Sequence, residues 1–244
     1  MPRSVKSVAP PAAVPTAPGG EAGLPDAPRF VDLLKVEADA PGLRKGERTR
    51  RLARYATARC LEQATFAQLS MDQIAVEAGV SRAAIYQYFR SKEDAVRDVM
   101  TDFHDRTIAF PRTATQSLTP FDAIYRTNRY YIDYFARNAV LMERVRELRD
   151  ALPELLRERQ RINASWAQRI LANVMRQGPL IASQAAIELR IVCLECMVDD
   201  VLREAFVIGN PALATARDDP NAFAREITAI WYRAIYPTQD DARG

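Results

Sequence analysis

Basic side chains are the residues whose type and spacing most clearly indicate a chemical role. Residues 45–100 contain ten basic and seven acidic residues, which account for the whole formal charge of +3. The stretches on either side, 1–44 and 101–244, are each neutral overall. The opening of the middle stretch has one acidic residue, Glu47, and six basic ones: Lys45, Arg48, Arg50, Arg51, Arg54 and Arg59. Such a cluster attracts phosphates, although a solvated helix face can have the same composition.

Residue types that commonly catalyse reactions are sparse. The sequence has one His, His104, so histidine-based acid–base chemistry has a single candidate. No Gly-rich loop of the kind that cradles phosphates occurs, and no nucleophile stands with a base and an acid in a recognisable set. We therefore predict that the protein is not an enzyme, has no catalytic residue and needs no cofactor.

Two of the three cysteines, Cys193 and Cys196, have a spacing that also occurs in zinc and redox sites. A closed zinc site needs four ligands, and the sequence offers neither a second Cys pair nor a His pair beside them. We predict no metal site and expect both thiols to pack inside a helical core.

Cysteine usage and hydropathy bear on the compartment. Three Cys in 244 residues do not form a disulfide framework and suit a reducing compartment. The longest stretch without a charged residue is Ser7–Gly20, with 14 residues and four prolines, so no segment should span a membrane as a helix. The same prolines make it a poor signal peptide. We expect a cytoplasmic protein that does not bind membranes.

The basic stretch reads as a series of short helices. Apolar or small residues recur at a spacing that places them on one face of a first helix: Ala53, Ala56, Thr57, Cys60, Leu61 and Ala64. Ser70 can cap a second helix, with Gln73 at the capping-box position, and Gly79 suits its left-handed end. Ser81 then caps a third helix over Arg82–Phe89. Two helices joined by so short a turn form a helix-turn-helix, whose second helix enters the DNA major groove.

Composition divides the rest of the chain. Residues 1–44 hold eight of the 15 prolines, and we expect them to form mostly a disordered arm, in which Phe30–Glu37 could form a transient helical turn. Residues 45–98 form the helix-turn-helix domain, residues 99–237 a larger helical domain, and residues 238–244 a tail. No stretch alternates with the period of a strand, so the predicted fold class is all-α.

The motif at the helix-turn-helix resembles a known family. Ile74-Ala75-x-x-Ala78-Gly79-Val80-Ser81-x-x-x-Ile85-Tyr86-x-Tyr88-Phe89-x-Ser91-Lys92-Glu93 is similar to the signature of TetR-family transcriptional regulators. The similarity covers about residues 48–100. It implies an N-terminal DNA-binding domain with a three-helix helix-turn-helix unit, followed by a C-terminal effector-binding and dimerisation domain.

The resemblance also implies roles for individual residues. Arg82 would read a base, because Arg can donate two hydrogen bonds to guanine. Ala83 and Ala84 would contact a thymine methyl group, and Tyr86, Tyr88 and Lys92 would bind phosphates. Further DNA-binding candidates are Ser70, Ser81, Gln87, Arg48, Arg50 and Arg51. The two serines are at least as well explained as helix caps.

The helical domain after residue 100 is rich in aromatic residues. It could enclose an apolar or aromatic effector, although most such side chains form core. The candidate effector-binding residues are Phe103, His104, Tyr125, Tyr131, Tyr134 and Trp166.

Two apolar segments near the C-terminus, Ala182–Ile208 and Ala222–Ile235, suggest a four-helix interface between two subunits. Burial of both inside one subunit is the alternative. The predicted function is therefore a homodimeric repressor that binds a palindromic double-stranded operator and is released by a small-molecule effector. The alternative is a DNA-binding regulator without such an effector, controlled by a protein partner.

Overall fold

The computed structural model describes residues 26–107, 118–176 and 182–236, and these contain helices and no strands. The predicted all-α fold class is therefore confirmed. The first 25 residues of the expected arm and the expected tail lie outside the described residues. The helices are α1 (Phe30–Asp39), α2 (Lys45–Gln63), α3 (Met71–Ala78), α4 (Arg82–Tyr86), α5 (Lys92–Thr107), α6 (Pro120–Arg137), α7 (Ala139–Glu147), α8 (Pro153–Met175), α9 (Gln184–Arg203), α10 (Thr215–Asp218) and α11 (Pro220–Ile235).

Local signals set the bounds of α3 and α4. The Ser70 side chain accepts a hydrogen bond from Gln73 N, while the Gln73 side chain accepts one from Ser70 N, which completes a capping box. Gly79 ends α3 at φ 64°, a left-handed conformation that other residues adopt only with strain. Ser81 caps α4 by accepting from Ala84 N. These bonds fix the turn between the two helices of the helix-turn-helix.

A first hydrophobic core surrounds α2. Leu61 from α2, Ile74 from α3 and Ile85 from α4 are fully buried in it. The core continues along α5 to Phe103, whose ring lies 5.8 Å from that of Tyr134 on α6. The DNA-binding helices and the start of the C-terminal domain therefore share one core.

The expectation of an arm without structure is wrong for residues 30–39, which form α1. Phe30, Val31, Leu34 and Ala38 recur on one face and are buried. The Phe30 ring lies 5.2 Å from the Phe103 ring. The average composition of residues 1–44 hides this short amphipathic segment, which is stable because α2 and α5 cover its apolar face.

Polar contacts attach α1 to two parts of the molecule. Its first amide, Phe30 N, donates to Asn138 Oδ1 over 2.8 Å at the junction of α6 and α7. Asn138 Nδ2 donates in turn to Pro28 O over 3.1 Å. At the other end, Arg106 of α5 pairs with Glu37 over 2.7 Å. Arg51 of α2 also donates to Glu37 O over 2.9 Å, so α1 is connected to α2, α5 and the α6–α7 junction.

A second core lies among α6, α9 and α11. Ile132, Ile191 and Ile227 are among its buried residues, and Asn128 donates to Thr228 Oγ1 over 3.2 Å. After Arg203 the chain makes one wider π-helical turn, Glu204–Ile208, that ends at left-handed Gly209. No helix in the described ranges is both long and apolar enough to cross a membrane.

Cys193 and Cys196 do not pack in this core, contrary to expectation. Both are exposed on α9, whereas Cys60 is buried. They share an outward face with Leu189 and Val192, which are 65% and 43% exposed. The helix is apolar on two faces, and periodicity alone does not say which face the subunit buries.

Candidate DNA-binding surface and effector cavity

The outer face of α4 is the exposed part of the helix-turn-helix. Ile85 is fully buried and anchors this short helix to the core. Because α4 is held on that one side, Arg82, Ala83, Tyr86 and Gln87 face outward and are exposed. These are the side chains that can reach base edges or phosphates when the helix enters a major groove.

Arg82 is held by its neighbours on this surface. Its guanidinium lies 3.2 Å from Asp72 and donates to Tyr86 Oη over 3.3 Å. All three side chains are exposed, so solvent weakens both contacts. The hydrogen bond to Tyr86 and the charge of Asp72 raise the pKa of Arg82. A base or phosphate has to compete with Asp72 for this guanidinium.

Lys92 lies where the N-terminus of α5 meets the turn between α2 and α3. Its Nζ donates to Phe66 O over 3.0 Å and to Leu69 O over 3.1 Å. The same atom lies 4.7 Å from the centre of the Phe66 ring. Lys92 therefore closes this turn, a structural role that the sequence did not indicate.

The basic cluster at the start of α2 is partly neutralised. Arg54 pairs with Asp98 over 2.7 Å and with Asp102. Arg50 also pairs with Asp98, over 3.3 Å, and Arg51 pairs with Glu47. Arg48 is exposed and forms no ion pair with any described residue. Of the three predicted arginines, Arg48 is the one whose charge is least compensated.

A cavity of about 560 Å³ lies between α5, α6, α8, α9 and α11. Its wall is mainly apolar, with Phe135, Ile162, Trp166, Val198 and Trp231 among the lining residues. This volume is within the usual range of small-molecule sites.

The most buried titratable group on this wall is His104, which is 6% exposed. Neither ring nitrogen has a hydrogen-bond partner among the described residues. Burial, together with the positive charge of Arg159, lowers the pKa of His104 to about 4. The imidazole is therefore neutral at physiological pH, with one donor and one acceptor available to a ligand.

Two carboxyl groups of α9 also line the cavity, Glu195 and Asp199. Asp199 accepts a hydrogen bond from the Tyr131 hydroxyl and pairs with Arg159. Glu195 Oε1 is buried and has no partner among the described residues. Burial, with a smaller contribution from Asp199, raises the pKa of Glu195 to about 7.

Comparison with known proteins identifies the N-terminal part of the chain. Residues 55–99 match the sequence model of bacterial regulatory proteins of the tetR family. The match runs from the middle of α2 through α3 and α4 into α5. Residues 55–99 are therefore similar to the DNA-binding region of TetR-family transcriptional regulators. Such regulators control transcription and are not enzymes, as the sequence predicted.

Two solved structures share the fold of this chain. The fatty acid degradation regulator FadR from Bacillus halodurans is 16% identical, with a TM-score of 0.58 over 78% of this chain and 96% of that one. A putative transcriptional regulator from Pseudomonas aeruginosa PAO1 is 17% identical, with a TM-score of 0.62 over 83% and 95%. At such identities the similarity concerns the fold alone. No curated protein sequence matches the chain significantly.

The DNA-binding candidates differ in how far they are exposed. Tyr88 is half-buried beside α2, where a Cβ on Gly46 would lie 3.0 Å from Tyr88 Oη. Ala84 is also only partly exposed. Ser70 and Ser81 accept the helix-capping bonds described above, which accounts for both residues without DNA.

The effector candidates separate into two groups. His104, Tyr131 and Trp166 line the cavity. Phe103 and Tyr134 are instead packed in the first core and Tyr125 in the second, with exposures of at most 3%. The sequence did not single out Glu195, Asp199, Arg159 or Trp231 as wall residues. Two acidic residues one helical turn apart within the apolar pattern of α9 were the signal that could have revealed this face.

Proposed function

We propose that the protein is a ligand-responsive repressor that acts as a homodimer in the bacterial cytoplasm. In this proposal it binds a palindromic operator, and a small effector in the cavity releases it from DNA. The observation that carries the proposal is the position of α5. Lys92 at its start holds the helix-turn-helix, and His104 near its end lies on the cavity wall.

Helix α5 gives the cavity a mechanical connection to the DNA-binding surface. It has 16 residues and is therefore about 24 Å long. A ligand that displaces His104 moves the same rigid helix that positions Lys92 and the turn it closes. Release of DNA further requires that the ligand binds more tightly to the displaced arrangement than to the DNA-bound one.

The apolar outer faces of α9 and α11 support dimerisation with a second copy of the chain. Leu189 and Val192 on α9 and Ile230 on α11 are exposed, the last to 45%. A short recognition helix gives limited discrimination, and two copies read two half-sites spaced by about one DNA turn. The second copy would bury these side chains and set that spacing.

Selection of DNA from a randomised pool by the full chain tests the DNA-binding part. We expect the selection to yield palindromic sequences that bind at nanomolar concentration. Unrelated DNA should compete poorly with them. Release of the selected DNA by compounds that raise the thermal stability of the free protein then tests the effector part. Stabilising compounds that leave DNA binding unchanged would instead favour control by a protein partner.

A further inference from the structure

Several buried polar atoms on the cavity wall have no protein partner in the described part of the chain. They are both ring nitrogens of His104, Oε1 of Glu195 and Nε1 of Trp231. A buried polar atom without a hydrogen bond loses the interaction that water would have given it. A ligand that pairs with these atoms recovers this free energy. They therefore mark the parts of the wall where a polar group of a ligand would be favoured.

The charges on the wall determine the sign of that polar group. Asp199 has both oxygens engaged, one by the Tyr131 hydroxyl and one by Arg159. The positive charge of Arg159 is therefore already matched. Glu195 lies one helical turn before Asp199 on the same face, and no cation pairs with it among the described residues. Glu195 is the acidic group that a ligand can compensate.

We propose that the cavity binds a ligand with an apolar, aromatic-sized body and a protonated amine, with the amine donating to Glu195. An ammonium group has only donors and a carboxylate only acceptors, so the two match without an unpaired atom. Tyr131 and Trp166 line the same cavity, and aromatic faces attract cations. The inference deepens the effector-binding function proposed above and rests on it.

An anionic ligand suits the wall less well. Arg169 and Arg176 also line the cavity, but they are exposed and already donate to Ser165 and Asn173. Arg146 is bonded to Asp199 O and Asp200. A carboxylate placed among the buried polar atoms would meet the negative charge of Glu195 at close range, where screening by water is weakest.

The protonation of Glu195 adds a pH dependence to this site. Since burial raises its pKa to about 7, the carboxyl is only partly ionised at neutral pH. Two titratable groups of the same wall on other helices do not titrate near neutrality, because the pKa of His104 on α5 is lowered to about 4 and that of Tyr131 on α6 is raised. Arg159 on α8 is already paired with Asp199. Affinity for an amine should therefore increase as pH rises through neutrality.

Calorimetric titration of the full chain with three matched probes tests the proposal. Diphenylpropylamine, diphenylpropanol and diphenylpropanoic acid share one apolar body and differ only in the polar group. The amine should bind best, and Glu195→Gln should weaken it roughly tenfold while the alcohol changes little. Glu188→Gln is the matched control, because it makes the same change on α9 outside the cavity wall.

Each other outcome has a defined meaning. Tighter binding of the acid or the alcohol, binding by none of the probes, or equal loss of amine binding in both variants would overturn the amine site. Measuring DNA release with the same probes separates this inference from the proposed function. Glu195-dependent amine binding without DNA release would contradict the effector role alone, whereas release by the acid would contradict the amine preference alone.

Discussion

Arg82 offers the most direct test of base reading at the scale of single residues. Arg82→Ala removes the exposed guanidinium at the start of α4, so discrimination at one base pair should fall by about 1–3 kcal/mol. Fluorescence anisotropy with matched and singly mismatched operators measures this difference. Gln87→Ala, on the same exposed face, is a control in which discrimination at that base pair should persist. A uniform loss across all sequences would instead indicate that Arg82 contacts phosphate.

Lys92 and Arg48 should separate structural from electrostatic roles. Lys92→Ala leaves two backbone carbonyls without their charged donor, so the free energy of unfolding should fall by about 1–3 kcal/mol. Arg48→Ala should leave stability unchanged, lower affinity for all DNA and reduce the salt slope by about one. Urea unfolding and salt titrations measure both quantities. Equal stability of the two variants would contradict the role of Lys92 in closing the turn.

The buried carboxyl Glu195 makes stability depend on pH. Its folded pKa of about 7 lies above its ordinary value of 4.5, so the folded state holds a proton that the unfolded state releases between these values. Its contribution to stability is therefore present below about 4.5 and is lost as pH rises to about 7. Glu195→Gln should raise the melting temperature relative to the wild type by an amount that grows across this window.

Folding shifts the pKa of His104 in the opposite direction to that of Glu195. The pH dependence of stability that His104 causes can therefore be measured in the Glu195→Gln variant. Its folded pKa of about 4 lies below its ordinary 6.5, so stability is lost as pH falls through this range. In Glu195→Gln the melting temperature should therefore rise from about pH 4 to 6.5 and then level off. A difference in melting temperature between the wild type and Glu195→Gln that is independent of pH would show that folding does not raise the pKa of Glu195.

Among the helices, the attachment of α1 to the rest of the molecule can be tested by changing one side chain. Asn138 pairs with Phe30 N and Pro28 O, so Asn138→Ala leaves two backbone groups of the α1 entry unpaired. We expect a loss of about 1–3 kcal/mol and faster proteolysis near residues 26–40. Unfolding curves and limited proteolysis measure these effects. Val36→Ala, at a side chain of α1 that is 70% exposed, should change neither, and equal behaviour of the two variants would contradict the role of Asn138.

Helices α3 and α4 could be predicted from the sequence because their signals are local. Ser70, Gly79 and Ser81 fix caps and a left-handed turn within a few residues, independently of the rest of the molecule. For α1 the sequence indicated at most a transient turn at Phe30–Glu37, because its apolar face is stable only against α2 and α5. The same applies to Cys193 and Cys196, since periodicity places residues on a face but does not identify what covers it.

Local sequence patterns are even less able to identify the residues that line the cavity. Phe103 and His104 are adjacent in sequence, yet one packs in the core and the other lines the cavity. Trp231 and Glu195 reach the wall from helices far apart in sequence. An aromatic composition therefore indicated the kind of domain, but the residues on the wall depend on how α5, α6, α8, α9 and α11 pack together.

At the scale of the whole molecule, the exposed face of α9 determines whether two copies assemble. Replacing Leu189 and Val192 by Glu places charges on a face that a dimer would bury, and a buried unpaired charge is costly. The double variant should be monomeric by light scattering and should bind a palindromic operator more weakly than the wild type does. Its affinity for a single half-site should equal the low affinity of the wild type. Met175→Glu is the control, because Met175 on α8 is equally apolar and 48% exposed but lies on another helix.

The thiols of Cys193 and Cys196 share the α9 face, so a short bifunctional maleimide should join two wild-type chains and leave the double variant uncoupled. A double variant that remains dimeric and binds the palindrome normally would contradict an interface on this face and would require the two recognition helices to be spaced by another surface.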